Sequence, residues 1–245
     1  VTTASGRTFR SRSIESLLVE IKHQCSRFDA NLIAFLDLKL NSDVHLWREL
    51  INQIPIALPN VLWTASIHID TRKENGLSRD ELFKARASGL VRVTCGLESG
   101  SPKVLKLMAK GIKLKRLSTF LKNAHDAGIS VRMTCIIGYP GEEPADVDLT
   151  TQFIIDHKKY IERIVLNRFA LMPNTPIAKK LENQGNDFPY IQTKELDLHT
   201  GIIHHKNQKL ATIEYSSAAF RLMKTIHKVN LNPLMKSAVE FEGVM

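Results

Sequence analysis

Five short apolar runs, each breaking off at polar or glycine-rich residues and each followed by a helical pattern, constrain this chain more than any other feature. They are Leu32–Leu36, Val61–Ile67, Val91–Leu97, Ser130–Ile137 and Arg163–Leu171. Runs of this length, rich in Val, Ile and Leu, read as strands of a parallel sheet, and the helices between them make right-handed βαβ crossovers. Ser13 precedes the first helical pattern (Ile14, Leu17, Leu18, Ile21), and Asp43 to Ile54 carries the second. Ser78 caps a third helix that Gly89 stops, and Ser101-Pro102 opens a fourth piece. Leu114 to Ala127, with Gly128 as its stop, and Ala145 to Tyr160 complete the alternation.

The runs stop at Asp37–Asn41, His68–Asp70, Gly96–Ser101, Gly138–Glu142 and Pro173–Thr175. In α/β barrels and open sheets the ligand lies at the carboxyl ends of the strands, so these five segments are expected to converge on one site. The sharpest of them is Gly96-Leu97-Glu98-Ser99-Gly100-Ser101, in which two glycines bracket a lone acid. Glycine lets a backbone approach a ligand closely, and a carboxylate accepts hydrogen bonds from hydroxyls or an amine. The same residues also make a tight strand-to-helix turn with Ser101 as the cap, and both roles hold together.

A chain of 245 residues forms one α/β barrel-like unit without needing a second core. The net charge of +9 admits an anionic partner, RNA included, although Lys110–Arg116 and Lys158-Lys159 read as solvated helix faces. Cys25, Cys95 and Cys135 have no metal-ligand spacing, so they read as structural thiols of a reducing, cytoplasmic compartment. Cys95 and Cys135 fall within strands, and Trp47 and Trp63 within the predicted core. No apolar run approaches the length of a membrane span, and no signal peptide is visible. His68, Asp70 and Arg168 stand at or near strand ends, while His204-His205 reads as a surface pair. Beyond Gly185 the rhythm is lost. A polar stretch to about Lys209 is followed by an amphipathic helix with Leu210, Ile213, Phe220, Met223 and Ile226, giving a division into residues 1–185 and a mainly helical extension, 186–245.

Four pieces, in order, resemble the core of radical S-adenosylmethionine (radical SAM) enzymes, in the branch that includes cobalamin-binding members and the methylthiotransferases. They are Gly6-Arg7 with Arg10-Ser11-Arg12-Ser13 and the helix after it; Gly96–Ser101 with Val104-Leu105 and Lys110-Gly111; Ala127-Gly128-Ile129 leading into Ile137-Gly138-Tyr139-Pro140-Gly141-Glu142; and Thr150 to Phe153. The resemblance implies a partial parallel (β/α)6 TIM-like barrel that holds a [4Fe-4S] cluster and S-adenosylmethionine. In that family reductive cleavage of the sulfonium yields a 5'-deoxyadenosyl radical. It places Glu98 and Ser99 near the ribose or methionyl part, and Ile137, Gly138 and Glu142 at the turn that lines the adenine. Asp37 matches an acidic position near the methionyl group, but Leu38 stands where many relatives carry a second acid.

Relatives place C-x-x-x-C-x-x-C shortly before the Gly-Arg-x-x-Arg-x-Arg-Ser segment, after a first strand. Neither is present here, so the expectation is the downstream part of a longer protein, with the cluster cysteines upstream of Val1 and the Leu32–Leu36 strand left as an apolar edge. The resemblance also implies a small-molecule substrate, an electron donor such as flavodoxin or ferredoxin, and cobalamin in an upstream domain. Two alternatives stand beside it: a tRNA-type methylthiotransferase, and a degenerate barrel that acts as a binding module without catalysis.

Overall fold

The computed structural model describes residues 11–72, 74–182 and 188–243. Strands β1 (Leu32–Phe35), β2 (Leu62–Ile67), β3 (Leu90–Glu98), β4 (Ser130–Ile137) and β5 (Arg163–Arg168) follow one another in that order in a five-stranded sheet, and a second, two-stranded sheet pairs β6 (Ile191–Asp197) with β7 (Ile202–Asn207). Helices α1 (Ile14–Phe28), α2 (Val44–Ala57), α3 (Arg79–Ala87), α4 (Pro102–Leu107), α5 (Leu114–Asp126), α6 (Pro144–His157), α7 (Pro176–Glu182) and α8 (Ile213–Asn230) occupy the connections. The expected parallel α/β architecture with a helical C-terminal region is therefore present. The chain clusters into two compact units. One comprises Val1–Cys95, Thr119–Val131 and Leu234–Met245, and the other Gly96–Ser118 and Arg132–Pro233.

In the first unit β1 pairs in parallel with β2 from Leu32↔Leu62 to Phe35↔Ala65, and β2 pairs with β3. Trp47 and Trp63 are fully buried, and their rings meet edge to face at 5.7 Å. Each indole N–H finds a carbonyl, Gly76 at 2.8 Å and Ser88 at 3.0 Å, so neither polar edge is left unpaired in the core. Gly89 ends α3 at φ +99°, and a Cβ there would stand 2.0 Å from the Val61 carbonyl oxygen, so only glycine fits. Arg92, 1% exposed, donates to the Phe241 carbonyl at 2.9 Å, to Glu242 at 3.1 Å and to Ser130 Oγ at 3.1 Å, tying residues 241–242 to β3. The outer strand β1 keeps exposed leucines beside it, Leu36 at 76% and Leu38 at 77%, as an apolar edge.

In the second unit β4 and β5 pair in parallel from Arg132↔Arg163 to Ile137↔Arg168. Asn230, at the end of α8, exchanges two hydrogen bonds with the Ile164 backbone at 2.8 and 2.9 Å, which satisfies part of the outer edge of β5. Three readings of the sequence change here. The run Arg163–Leu171 is not one strand, because it switches partners: Phe169 N–H still donates to the Ile137 carbonyl, whereas Leu171 bridges to Ile203 in the hairpin. The polar stretch of the extension, expected to be mainly helical, holds the β6–β7 hairpin. Its turn closes with Asp197 accepting backbone N–H groups from His199 and Thr200, and Gly201 sits at φ +68°. Its apolar side joins Leu171, Ala178, Leu181, Phe188 and Ile191 in a small separate core.

The third change concerns α8, which buries Tyr215, Ala218, Leu222, Ile226 and Val229, and leaves Ile213, Phe220 and Met223 exposed. Of the residues picked out by hydropathy on this helix only Ile226 is buried, because the buried face includes a tyrosine and an alanine. The division at residue 185/186 falls outside the described residues, as do Gly6, Arg7 and Arg10.

Candidate cofactor-binding site

β3 ends in a strained turn. Glu98 has φ +61°, and the Ser99 N–H donates to the Leu97 carbonyl at 2.8 Å, closing a three-residue turn around the acid. A left-handed conformation costs a residue with a Cβ about 1–2 kcal/mol. Two features hold it. Lys110 Nζ donates to Glu98 Oε1 at 3.0 Å, and the carboxylate folds over Gly96, where a Cβ would stand 2.6 Å from the same oxygen.

The rest of the string is anchored inward. Ser99 is fully buried and its Oγ lies 3.2 Å from Thr150 Oγ1, which also accepts the Gly100 N–H at 2.8 Å. Gly100 itself touches α6 so closely that a Cβ would be 2.5 Å from Thr150 Cα and 2.6 Å from the Leu149 carbonyl. Ser101 caps α4 and donates to Asp146 Oδ1 at 2.6 Å, while Lys103 reaches Asp146 Oδ2 at 2.5 Å. Burial pushes the Asp146 carboxyl up, but the bonds from Lys103 and Ser101 outweigh it and hold the group below its ordinary range. Thr150 and Asp146 thus explain why a β3 motif and an α6 segment occur together.

At the end of β4, Ile137 is half-buried, Gly138 turns at φ +86° and Glu142 is 3% exposed. Glu142 Oε2 accepts the Gly138 N–H at 2.6 Å and the Tyr215 O–H at 2.5 Å. Burial pushes the Glu142 carboxyl up, against the lowering effect of these two bonds, and burial with the neighbouring Glu142 charge pushes the Tyr215 hydroxyl up too. Gly141, at φ +88°, packs where a Cβ would meet Leu107 at 2.8 Å. Tyr215 has no sequence signal, because it arrives from another helix 73 positions away.

Two cavities meet at Ile137 and Gly138. One, of about 480 Å³, runs between Leu166, Arg168, Leu210 and the Tyr215, Ala219 and Met223 side of α8. The other, of about 560 Å³, lies between the ends of β4 and β5 and strand β7, with Phe169, His204, His205 and Lys206 among its walls. The His204-His205 pair, exposed at His204 as a surface pair would be, also forms part of this wall.

Asp37 belongs to the first unit, where it is exposed and lines a groove of about 370 Å³ with Leu17, Ile21, Phe28 and Leu36. Nearby, Asn41 clamps the loops after β1 and β2 by donating to the His68 and Asn75 carbonyls at 3.0 Å and accepting the His68 N–H at 2.9 Å. Arg72 bonds Asp70 at 2.8 Å and the Asn41 and Ser42 carbonyls at 3.0 Å. Burial raises the Asp70 carboxyl, yet Arg72 and Lys39 more than offset it and hold the group low. Asp70 is thus committed to an ion pair.

Among the described residues no three His, Cys, Asp or Glu side chains come together to hold a metal. Cys95 and Cys135 are buried and Cys25 is partly so, and none of the three is in a disulfide. These residues do not fit a [4Fe-4S] cluster. What the strand ends do offer is a carboxylate held on a strained turn above Gly96 and the apolar, glycine-turned wall of Ile137 and Gly138.

A parallel α/β protein with glycine-flanked turns at its strand ends is the class that fold and site define together. The sequence matches the radical SAM superfamily over residues 3–154, and the chain belongs to that superfamily. An uncharacterized methyltransferase of Pyrococcus horikoshii is 27% identical over 149 residues, 60% of this chain and 31% of that protein. A provisionally named methylthiotransferase of Methanocaldococcus jannaschii is 28% identical over 156 residues, 62% of this chain and 34% of that protein. The chain thus spans about a third of the length of these curated relatives. Among solved structures, the radical SAM methyltransferase TsrM of Kitasatospora setae, with tryptophan and a SAM analogue bound, has a TM-score of 0.65 at 16% identity, over 93% of this chain and 50% of that one. The cobalamin-dependent radical SAM enzyme OxsB has the same TM-score, 0.65, at 14% identity, over 88% of this chain and 37% of that one. These structures share the fold. No helix among the described residues is long and apolar enough to cross a membrane.

Proposed function

We propose that this chain is the S-adenosylmethionine-binding part of a radical SAM enzyme. The observation that carries the reading is the Glu98 turn: a strained acid, held by Lys110 and fitted over Gly96, in a chain of this superfamily. Backbone strain kept at an acid in a strand-end turn supports a site pre-formed for binding. In this reading Glu98 accepts hydrogen bonds from the ribose or methionyl part. Ser99, whose hydroxyl is turned inward onto Thr150, positions that turn. Ile137 and Gly138 form the wall against the adenine, with Glu142 holding the Gly138 loop from behind. Asp37 is assigned to the methionyl end on the resemblance alone.

The whole polypeptide would cleave S-adenosylmethionine reductively at a [4Fe-4S] cluster, with cysteines beyond the described residues, an electron donor such as a flavodoxin or ferredoxin, and a reducing, cytoplasmic setting in keeping with cysteines that form no disulfide. Cobalamin in another part of the polypeptide belongs to the reading because TsrM and OxsB, both cobalamin enzymes, share the fold. A methylthiotransferase is the second reading, favoured by the name of the Methanocaldococcus relative and by that of the ribosomal protein uS12 methylthiotransferase RimO of Cytophaga hutchinsonii, 38% identical over 64 residues. The boundary between residues 1–185 and the extension is retained as part of the proposal.

Calorimetric titration with S-adenosylmethionine tests the assignment. The expected result is saturable binding that Glu98→Ala weakens about tenfold or more, the size of a hydrogen bond to a charged group. Unchanged affinity in Glu98→Ala would remove the assigned role.

A further inference from the structure

The cavity of about 560 Å³ beside Gly138 has an unbalanced lining. Its walls carry Arg168 at the end of β5 and His204, His205 and Lys206 on β7, and no Asp or Glu among the described lining residues. The Arg168 guanidinium and the Lys206 ammonium make no hydrogen bond or ion pair with another described residue. Of the imidazoles, His204 lies 3.8 Å from Asp197, and His205 packs edge to face on Phe169 at 5.5 Å. Two basic side chains and two imidazoles from different elements therefore converge around a floor of Ile137, Phe169, Ala170 and Leu210. Like charges brought together at the mouth of a cavity repel, and a bound anion relieves that repulsion.

Size and polarity narrow the ligand further. A volume of this order accommodates a small organic molecule, and a mainly apolar lining with a few convergent polar groups is the usual make-up of such a site. The hairpin that supplies β7 lies beyond residue 154, where the superfamily match ends.

We infer that this cavity binds an organic anion, a carboxylate or phosphoryl group on an apolar body, with Arg168 and Lys206 on the anion and Phe169, Ala170 and Leu210 on the body. Naming that anion as the substrate rests on the proposed S-adenosylmethionine reading, whereas the anion binding does not.

The test titrates the full chain with phenyl phosphate and with benzoate, the two arms separating phosphoryl from carboxylate recognition, and with neutral benzyl alcohol. Imidazole resonances of His204 and His205 report occupancy. The inference requires saturable shifts with at least one anion in the millimolar range or below, none with benzyl alcohol, and about tenfold or greater weakening in the double variant Arg168→Ala/Lys206→Ala. Both side chains are exposed, so that variant should fold, and its melting curve verifies this. Equal binding of benzyl alcohol, wild-type affinity in the folded double variant, or no saturable anion binding overturns the inference. Glu98→Ala serves as the reference. Anion binding that survives in it while S-adenosylmethionine affinity is unchanged sinks only the cofactor reading, and the reverse pattern sinks only this one.

Discussion

Tyr215 on α8 donates its hydroxyl hydrogen to Glu142 Oε2 at 2.5 Å, and the same oxygen accepts the Gly138 N–H at 2.6 Å. A buried carboxylate thereby joins the turn after β4 to a helix that follows the hairpin. Both bonds go to one oxygen, so losing either changes what the other must do. Tyr215→Phe keeps the ring and removes one of them, and it should cost about 1–3 kcal/mol of stability. A urea midpoint lowered by that free energy divided by the slope, with the slope itself unchanged, is the expected result; an unchanged midpoint would mean that the bond contributes nothing net.

The same carboxyl sets a pH dependence. Burial raises Glu142 above its ordinary value of 4.5, and the bonds from Tyr215 and Gly138 do not cancel that effect. The folded state therefore holds this proton more tightly than the unfolded chain. The resulting stability is fully present below the unfolded value and is lost as pH rises through the raised folded one. Glu142→Gln carries no such proton. Its stability relative to the wild type should improve steadily from about pH 4.5 upward and level off once Glu142 is ionised in the folded wild type. Asp146 and Asp70, held low, slope the other way in both proteins and drop out of the difference to first order. Urea unfolding of the two proteins across this range reads the trend, and a flat difference would contradict it.

Much of this was legible in the sequence, and the limits have physical causes. The strands showed themselves because a sheet covered by helices demands continuous Val, Ile and Leu, and the helix starts because Ser13, Asp43, Ser78 and Ser101 each accept a hydrogen bond from the first turn. Glu98 stood out because a lone acid between glycines has few bland explanations. The hairpin was missed because Lys194, Glu195 and His204 are exposed and the stretch reads as polar, although Ile191, Ile202 and Ile203 around Gly201 were a usable signal. The buried face of α8 was misread because Tyr215 and Ala218 are chosen by what they touch, not by hydropathy. No local pattern announces Tyr215 over Glu142 or Asn41 between two loops, since both contacts exist only once distant segments meet.

The inward anchoring of the β3 turn makes a second pair of stability predictions. At Gly100 an added methyl would meet backbone, Thr150 Cα at 2.5 Å and the Leu149 carbonyl at 2.6 Å, and backbone within a helix cannot give way cheaply. Gly100→Ala should therefore destabilise by about 3 kcal/mol, at or beyond the upper end of ordinary overpacking. Thr150→Val is nearly the same shape but takes away the acceptor of the Gly100 N–H, leaving a buried donor unsatisfied at a cost of about 1–3 kcal/mol. Gly111→Ala is the control, with nothing within 4 Å and only a left-handed φ of +65° to penalise it. Thermal unfolding should rank Gly111→Ala mildest, and a Gly100→Ala protein no less stable than Gly111→Ala would show that α6 does not press on this turn.

Gly96→Ala separates ligand binding from stability at the opposite side of the same turn. The added Cβ would stand 2.6 Å from Glu98 Oε1, but that atom ends a flexible side chain, so the carboxylate can swing away instead of the backbone deforming. Moving it costs the bond to Lys110, a pair whose lysine is 42% exposed and whose worth in solvent is about 0–1 kcal/mol. The fold should therefore tolerate the change with a loss of about 1 kcal/mol or less. Binding should not, because a site depends on its acid lying within a fraction of an ångström of the productive position. The expected outcome is a melting temperature close to wild type together with S-adenosylmethionine affinity lowered about tenfold, comparable to Glu98→Ala, read by calorimetry. A Gly96→Ala protein that binds like the wild type would mean that the carboxylate is not used where the turn now holds it, and would detach the strain at Glu98 from cofactor binding.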